Sequence, residues 1–262
     1  MRSLKHSLNF VPTGMRPSDS LDRLLPRAAH LRNQGFYEDA LEAAKSACRL
    51  SRKSLGPTDP DLRIALNEVA VLYKLAGNHE QAEALYRELL TIIRVGPARQ
   101  NDETWAALNN LGLLYVLTAR FSDAESLLKD AVEIAPSISG EEYATSLSNL
   151  GGLHKESERY GAARTSFSRA LEISRVLHGE LHRNIAQTLN NLGLAYLSNS
   201  EHAEAEVCFG RGLEARRAIL QPQHPDIAQS LNNLALCLKA RGDYVASDPP
   251  MTGLTRNRCF CI

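Results

Sequence analysis

Residues 187–209 read QTLNNLGLAYLSNSEHAEAEVCF, which combines one amphipathic helix, a tight turn and the start of a second helix. The helical part recurs along the chain. The copies are LNEVAVLY at 66–73, LNNLGLLY at 108–115, LSNLGGLH at 147–154, LNNLGLAY at 189–196 and LNNLALCL at 231–238. Their first leucines are separated by 42, 39, 42 and 42 residues. A period in this range predicts supersecondary units that stack side by side into an array.

The composition is ordinary for a globular chain and carries no bulk charge. Of 262 residues, 44% are apolar and 23% charged, and the formal net charge is zero. A neutral chain offers no bulk attraction to nucleic acid or anionic membranes, so neither is predicted as a partner. No apolar run reaches the roughly 18–20 residues of a membrane span. Five scattered cysteines without a spacing pattern predict reduced thiols and a cytoplasmic location.

The pattern divides the chain into three regions. Residues 1–19 contain no apolar run typical of a secretory signal and are predicted to form a disordered leader. Their lack of acids before Asp19 leaves an organelle-transit sequence as the alternative. Residues 20–244 are predicted to hold about five full helix pairs and a sixth incomplete one. The sixth pair stops early because the sequence VASDPP cannot continue a helix, which leaves 245–262 as an irregular tail. Pro26 lies inside the first helical pattern and predicts a short or kinked helix.

Small residues recur at two positions where helices are expected to touch. In the first helix of each repeated helix pair they are Ala70, Gly112, Gly151, Gly193 and Ala235. In the second helix they are Ala40, Ala82, Ala124, Ala163 and Ala205. Helix axes approach closely only where side chains are this small, so the pattern predicts tightly packed helix pairs.

These positions resemble the tetratricopeptide repeat, which carries L-G-x-x-Y in its first helix and A-x-x-x-F in its second. Residues 111–115 and 192–196 match the first motif, and residues 163–167 and 205–209 match the second. The 42-residue period and the DPD and HPD loops are similar to the kinesin light chain class. The resemblance implies an all-α, right-handed α-solenoid, a superhelix of stacked antiparallel helix pairs. It also implies a non-catalytic scaffold or adaptor that binds extended peptide segments of other proteins in its concave groove.

The resemblance further implies which side chains face that groove. The polar residues are Asn67, Asn109, Asn110, Asn149, Asn190, Asn191, Asn232 and Asn233; the lysines are Lys74, Lys155 and Lys239; the leucines are Leu113, Leu117, Leu194 and Leu197. Asparagine suits a helix interior poorly because its side chain competes for backbone hydrogen bonds, so its repetition needs a reason. Two explanations stay open: the amides bind a peptide backbone, or they bond neighbouring helices and fix the register of the stack.

No catalytic, cofactor or metal site is predicted. His178 and His182 enclose a loop and lack the H-E-x-x-H spacing that places two imidazoles on one helix face. A hydrolase that uses these histidines is the hypothesis from a different functional class. The clamp that binds chaperone C-termini in some members of the family is not predicted, because Asn67 and Val71, or Asn109 and Leu113, stand at its places.

The incomplete sixth pair suggests an alternative function. Leu231, Leu234 and Leu238 would lack a covering helix, which predicts self-association or a regulatory piece of a larger signalling or motor assembly. The final residues, CFCI, fit the loose C-a-a-X form for prenylation of Cys259. The other explanation is an irregular terminus without modification.

Overall fold

The computed structural model describes residues 17–54, 59–95 and 101–242, in two compact units. Unit 1, Met1–Ile138, contains α1 (Pro17–Asn33), α2 (Tyr37–Ser54), α3 (Pro60–Leu75), α4 (His79–Val95), α5 (Asn101–Leu117), α6 (Phe121–Ile134) and a short 3-10 helix (Ala135–Ser137). Unit 2, Ser139–Ile262, contains α7 (Gly140–Glu156), α8 (Tyr160–His178), α9 (Arg183–Ser198), α10 (His202–Ile219) and α11 (Pro225–Arg241). All regular structure in the described residues is helical, which confirms the predicted all-α repeat fold. Residues 1–16 of the predicted leader, the whole predicted tail and Cys259 lie outside these residues.

Consecutive helices form pairs joined by a repeated tight turn. The pairs are α1 with α2, α3 with α4 and α5 with α6 in unit 1, and α7 with α8 and α9 with α10 in unit 2. Each turn passes through one residue with left-handed backbone, such as Gly77 at φ 75° or Ser200 at φ 62°. Gly242, at φ 96°, places the same conformation directly after α11. The sequence therefore begins a sixth turn there.

The predicted glycines Gly112, Gly151 and Gly193 lie where the helices of a pair touch. A Cβ atom built on Gly151 would lie 2.8 Å from the ring of Phe167, and one on Gly193 would lie 2.7 Å from the ring of Phe209. Both rings are fully buried. Ordinary carbon contacts are about 3.5–4.0 Å, so only glycine allows these rings to approach so closely. The aromatic side chains therefore fill the space that the missing side chains leave.

The first helix differs from its prediction in length. Pro26 predicted a short or kinked helix, but α1 runs over 17 residues through that proline. Proline removes the hydrogen bond that the carbonyl of Asp22 would accept. Pro26 and Asp22 are both exposed, so water can solvate that carbonyl. The helix also begins at Pro17, inside the predicted leader, because a proline suits the first helical turn.

Candidate functional site

In each unit the first helices of successive pairs lie next to one another. Unit 1 places α3 beside α1 and α5, and unit 2 places α9 beside α7 and α11. We call the surface that these helices form the first-helix face of each unit. The residues that the sequence assigned to a groove all lie on these helices, at positions that repeat from one pair to the next.

Asparagine side chains join neighbouring first helices. The Nδ2 atom of Asn110 on α5 donates to Oδ1 of Asn67 on α3 at 3.1 Å. In unit 2, Nδ2 of Asn233 on α11 donates to Oδ1 of Asn190 on α9 at 2.7 Å. Each bond joins the first residue of one polar pair to the second residue of the next pair. These four asparagines therefore bond neighbouring first helices, the contact on which the second explanation of their recurrence depends. A peptide-binding role for them stays a prediction.

The other predicted asparagines occupy different environments. Asn109 is buried and donates to the backbone oxygen of Trp105 in its own helix at 3.1 Å. Asn191 is half-buried and accepts from Gln187 at 3.3 Å, and Asn149 is half-buried near it. Asn232 is exposed on α11. Of the predicted asparagines, Asn149 and Asn191 line an open space.

That space is a pocket of about 140 Å³ between α7 and α9. Its lining consists of Ala144, Thr145, Ser148, Asn149, Ser174, Asn184, Gln187, Thr188 and Asn191. Ser148 stands at the position from which Asn67 and Asn190 accept a bond from the next first helix, and its side chain is shorter than that of asparagine. A shorter residue at one position thus leaves a gap in the row of amide bonds.

The pocket offers hydrogen-bond donors and acceptors without a formal charge. Amides and hydroxyls provide both kinds of group, and every residue that lines the pocket is uncharged. Asn184, one of the lining residues, donates to the carboxylate of Glu141 at 3.4 Å. Thr145 and Gln187 were not foreseen as site residues. The available signal was their helical spacing, because they lie three and four residues before Ser148 and Asn191.

The predicted lysines are not equivalent to one another. Lys74 is half-buried, and burial lowers the pKa of its ammonium group. Lys155 pairs with Glu156 of its own helix at 2.6 Å. Lys239 is exposed on α11. A role for these lysines in binding carboxylates stays a prediction.

The predicted leucines divide into packed and exposed side chains. Leu194 and Leu197 are half-buried and pack against the cluster that contains Phe209 and Cys237. Leu113 is half-buried, whereas Leu117 is 60% exposed at the end of α5. Leu117 therefore offers the most accessible apolar surface of the four.

The rings of His178 and His182, the two residues of the alternative hydrolase hypothesis, are stacked on each other. The rings of His178 and His182 lie 4.0 Å apart and nearly parallel, and His182 Nδ1 accepts from the backbone N–H of Asn184. Over the described ranges, no group of three or more histidine, cysteine, aspartate or glutamate side chains is suited to hold a metal. None of the described helices is long and apolar enough to cross a membrane.

Comparison with known families identifies the repeats. A family model described as tetratricopeptide repeat matches residues 22–95, 65–137, 142–218 and 186–247. These matches span most of the chain and follow the helix pairs of both units. A search of curated proteins found no match.

Solved structures show the same fold at low sequence identity. BtubC (BKLC) from P. vanneervenii is 24% identical, with 92% of this chain and 98% of that chain covered and a TM-score of 0.66. A kinesin light chain-like protein with nearly identical TPR-like repeats from Podosopora anserina is 17% identical, with 79% and 99% covered and a TM-score of 0.65. PilF of Pseudomonas aeruginosa is 16% identical, with 88% and 90% covered and a TM-score of 0.62. At these identities the likeness shows the shared fold alone.

Proposed function

Because the chain belongs to the tetratricopeptide repeat family, a family of protein–protein interaction scaffolds, we propose that it binds an extended peptide segment of another protein on the first-helix face of unit 2. The family is typically non-catalytic, and we propose no catalytic activity, cofactor or nucleic acid partner for this chain. The unpaired, buried thiols of Cys48, Cys208 and Cys237 support a reducing compartment, for which we propose the cytoplasm. Burial raises the pKa of the Cys208 thiol to about 11, so this group stays protonated and unreactive.

One observation carries the peptide proposal: the polar pocket beside Ser148. Where asparagines pair between first helices, their amides are already bonded to each other. Where Ser148 interrupts the row, Asn149, Asn191 and the neighbouring hydroxyls line a pocket between two helices. A peptide main chain carries one donor and one acceptor per residue, and such groups match this lining.

The size and charge of the pocket limit what can enter it. A cavity of about 150 Å³ holds one benzene-sized group, so 140 Å³ has room for one peptide group or one small polar side chain. An uncharged lining does not compensate the desolvation of a buried charge. We therefore propose that the bound segment places a peptide group or a serine-, threonine- or asparagine-sized side chain here.

The proposal is tested by closing the gap. Ser148→Asn places an amide where it can bond Asn191, as Asn110 bonds Asn67, and fills the pocket. Peptides selected from a displayed random library on the wild-type protein would be titrated by fluorescence anisotropy. We expect Ser148→Asn to weaken binding at least tenfold, because it fills the pocket and engages the amide donor of Asn191, as Asn67 engages that of Asn110.

The matched control is Ser168→Asn, which makes the same change at an exposed serine of α8. This variant should bind the selected peptides as the wild type does. Both variants should keep the wild-type urea midpoint, so a loss of binding cannot be ascribed to unfolding. Wild-type affinity in Ser148→Asn would refute the pocket as the binding site.

The last helix supports a second candidate, self-association through the incomplete repeat. Leu231 on α11 is 39% exposed, whereas the equivalent Leu66, Leu108, Leu147 and Leu189 are between 0% and 7% exposed. Leu236 on the same helix is 50% exposed. Under this alternative the mass measured by light scattering rises with protein concentration, and Leu236→Lys remains a monomer. A wild-type mass that does not change with concentration would exclude it.

A further inference from the structure

The first-helix face of unit 1 contains an apolar pocket that differs in character from the polar pocket of unit 2. It measures about 360 Å³ and lies between α1 and α3. Its lining consists of Leu21, Asp22, Leu25, Pro26, Ala29, Ile64 and Glu68. Both charged groups in this lining are acids. The pocket therefore suits an apolar side chain that has basic neighbours.

The acidic character extends around the pocket. Glu68 is paired with Arg32 at 2.7 Å, whereas Asp22 is exposed at the rim. Asp59 and Asp61 lie close to Asp22: burial raises the pKa of Asp61, and the carboxylates of Asp59 and Asp22 raise it further. The basic residues Arg23 and Arg27 lie on the opposite side of α1 from the pocket, by the 3.6-residue turn of the helix. The rim thus keeps a negative potential.

The sequence that precedes α1 has the complementary chemistry. Residues 1–16 read MRSLKHSLNFVPTGMR and contain two arginines, a lysine and a histidine but no acid. The same stretch contains apolar residues, among them Phe10 and Val11. We propose that this segment docks on the α1–α3 pocket of its own chain, with the side chain of Phe10 in the pocket and the basic residues along the acidic rim.

The chain is long enough for this contact. The pocket centres near Leu25, which is about 12 Å along the helix from Pro17 at 1.5 Å per residue. The residues between Phe10 and Pro17 span up to about 23 Å when extended, at 3.3 Å per residue. Pro12 and Gly14 are residue types that favour the reversal of direction this requires. A pocket of 360 Å³ has more than twice the volume that a benzene ring needs, so it accepts a phenylalanine together with an aliphatic neighbour.

A photo-crosslinking experiment on the full chain tests the proposal. Phe10 is replaced by p-benzoylphenylalanine, the dilute protein is irradiated, and the crosslinked peptides are identified by mass spectrometry. We expect crosslinks to α1 and α3 within one molecule. Ile64→Arg adds a positive charge and bulk to the pocket, and we expect it to reduce the yield of this crosslink at least fivefold.

The matched control lies on the same helix. Leu75 is 52% exposed and Ile64 is 49% exposed, so Leu75→Arg makes the same change to the surface of α3 away from the pocket. The yield of the internal crosslink in Leu75→Arg should equal that in the protein without this substitution. Circular dichroism should show equal helix content in both variants. Equal yields from Ile64→Arg and Leu75→Arg, or crosslinks that fall elsewhere, would overturn the proposal. A crosslinked dimer in place of the internal product would overturn it too, because the occupant would then be a second copy.

A charge variant provides an independent measurement. Lys5→Glu together with Arg2→Glu reverses the charge of the segment without changing the pocket. We expect a reduction of the internal crosslink of several-fold at low salt that becomes smaller at 1 M salt, where the Debye length is about 3 Å. An unchanged yield at low salt would contradict the electrostatic part of the argument. None of these outcomes depends on Ser148→Asn, because the two pockets lie in different units.

Discussion

Two adjacent glycines in α7 provide a sharp test of how the helices pack. Gly151 faces Phe167, and a Cβ atom there would lie 2.8 and 2.9 Å from two ring atoms. Gly152 lies one position further along the same helix, and a Cβ atom there would meet nothing within 4 Å. Alanine therefore reduces the conformational freedom of the backbone equally at the two positions, but its methyl group meets a packed ring only at Gly151.

The expected effects follow from separating these two contributions. Alanine is favoured over glycine in a helix interior by about 0.8–1 kcal/mol, and this gain applies to both variants. Gly152→Ala should therefore raise the free energy of unfolding by about 1 kcal/mol. Gly151→Ala must also displace a fully buried ring, and overpacking of this kind costs about 1–3 kcal/mol. The difference between the two variants isolates that cost.

The measurement is urea unfolding followed by circular dichroism at 222 nm, with hydrogen exchange on α7 and α8 as a local readout. The local readout is needed because repeat arrays can unfold in parts rather than in one step. We expect Gly151→Ala to be less stable than Gly152→Ala by about 1–3 kcal/mol, with lost protection concentrated in α7 and α8. A Gly151→Ala variant as stable as Gly152→Ala would refute the argument that close approach requires glycine here.

Two further substitutions test buried polar groups. The hydroxyl of Tyr86 is buried without a hydrogen-bond partner in the described part of the chain, and burial raises its pKa. Tyr86→Phe removes this unsatisfied group, so it should raise the free energy of unfolding by about 1–2 kcal/mol in urea titrations. A loss of stability would show that the hydroxyl is bonded. Arg216 is buried and donates to the backbone oxygen of Asp226 at 2.7 Å and to Ser230 at 2.8 Å, so Arg216→Ala should cost about 3 kcal/mol and reduce hydrogen-exchange protection in α11. Unchanged protection of α11 would contradict this role.

The sequence predicted the repeat and the contact positions because both depend on local patterns. A glycine or alanine at one register position and an aromatic residue or leucine at another suffice to predict which faces meet. The sequence also suggested that the asparagines either bind a peptide or fix the register. It could not choose between these explanations, because the choice depends on which amides come within bonding distance across helices.

Ion pairs between neighbouring repeats also could not be predicted from the sequence. In unit 1, Glu83 pairs with Arg120 at 2.9 Å; in unit 2, the residues 81 positions later, Arg164 and Glu201, form the same pair with the charges exchanged. The position of the ion pair is thus kept while the residue types are reversed. A search for a repeated motif misses it, because the contact is defined by geometry between two helix pairs and not by residue identity.

The amino-acid sequence by itself determined the helix pairs, their period and the small residues at which they touch, since these follow from spacing along one chain. Only the tertiary structure decided that Asn110 bonds Asn67 and Asn233 bonds Asn190, that Ser148 leaves a polar pocket, and that an apolar pocket with acidic side chains lies between α1 and α3. The physical reason is that a bond or a cavity between helices depends on the reach of side chains about forty residues apart. A difference of one amide group at such a point separates a closed contact from an open site.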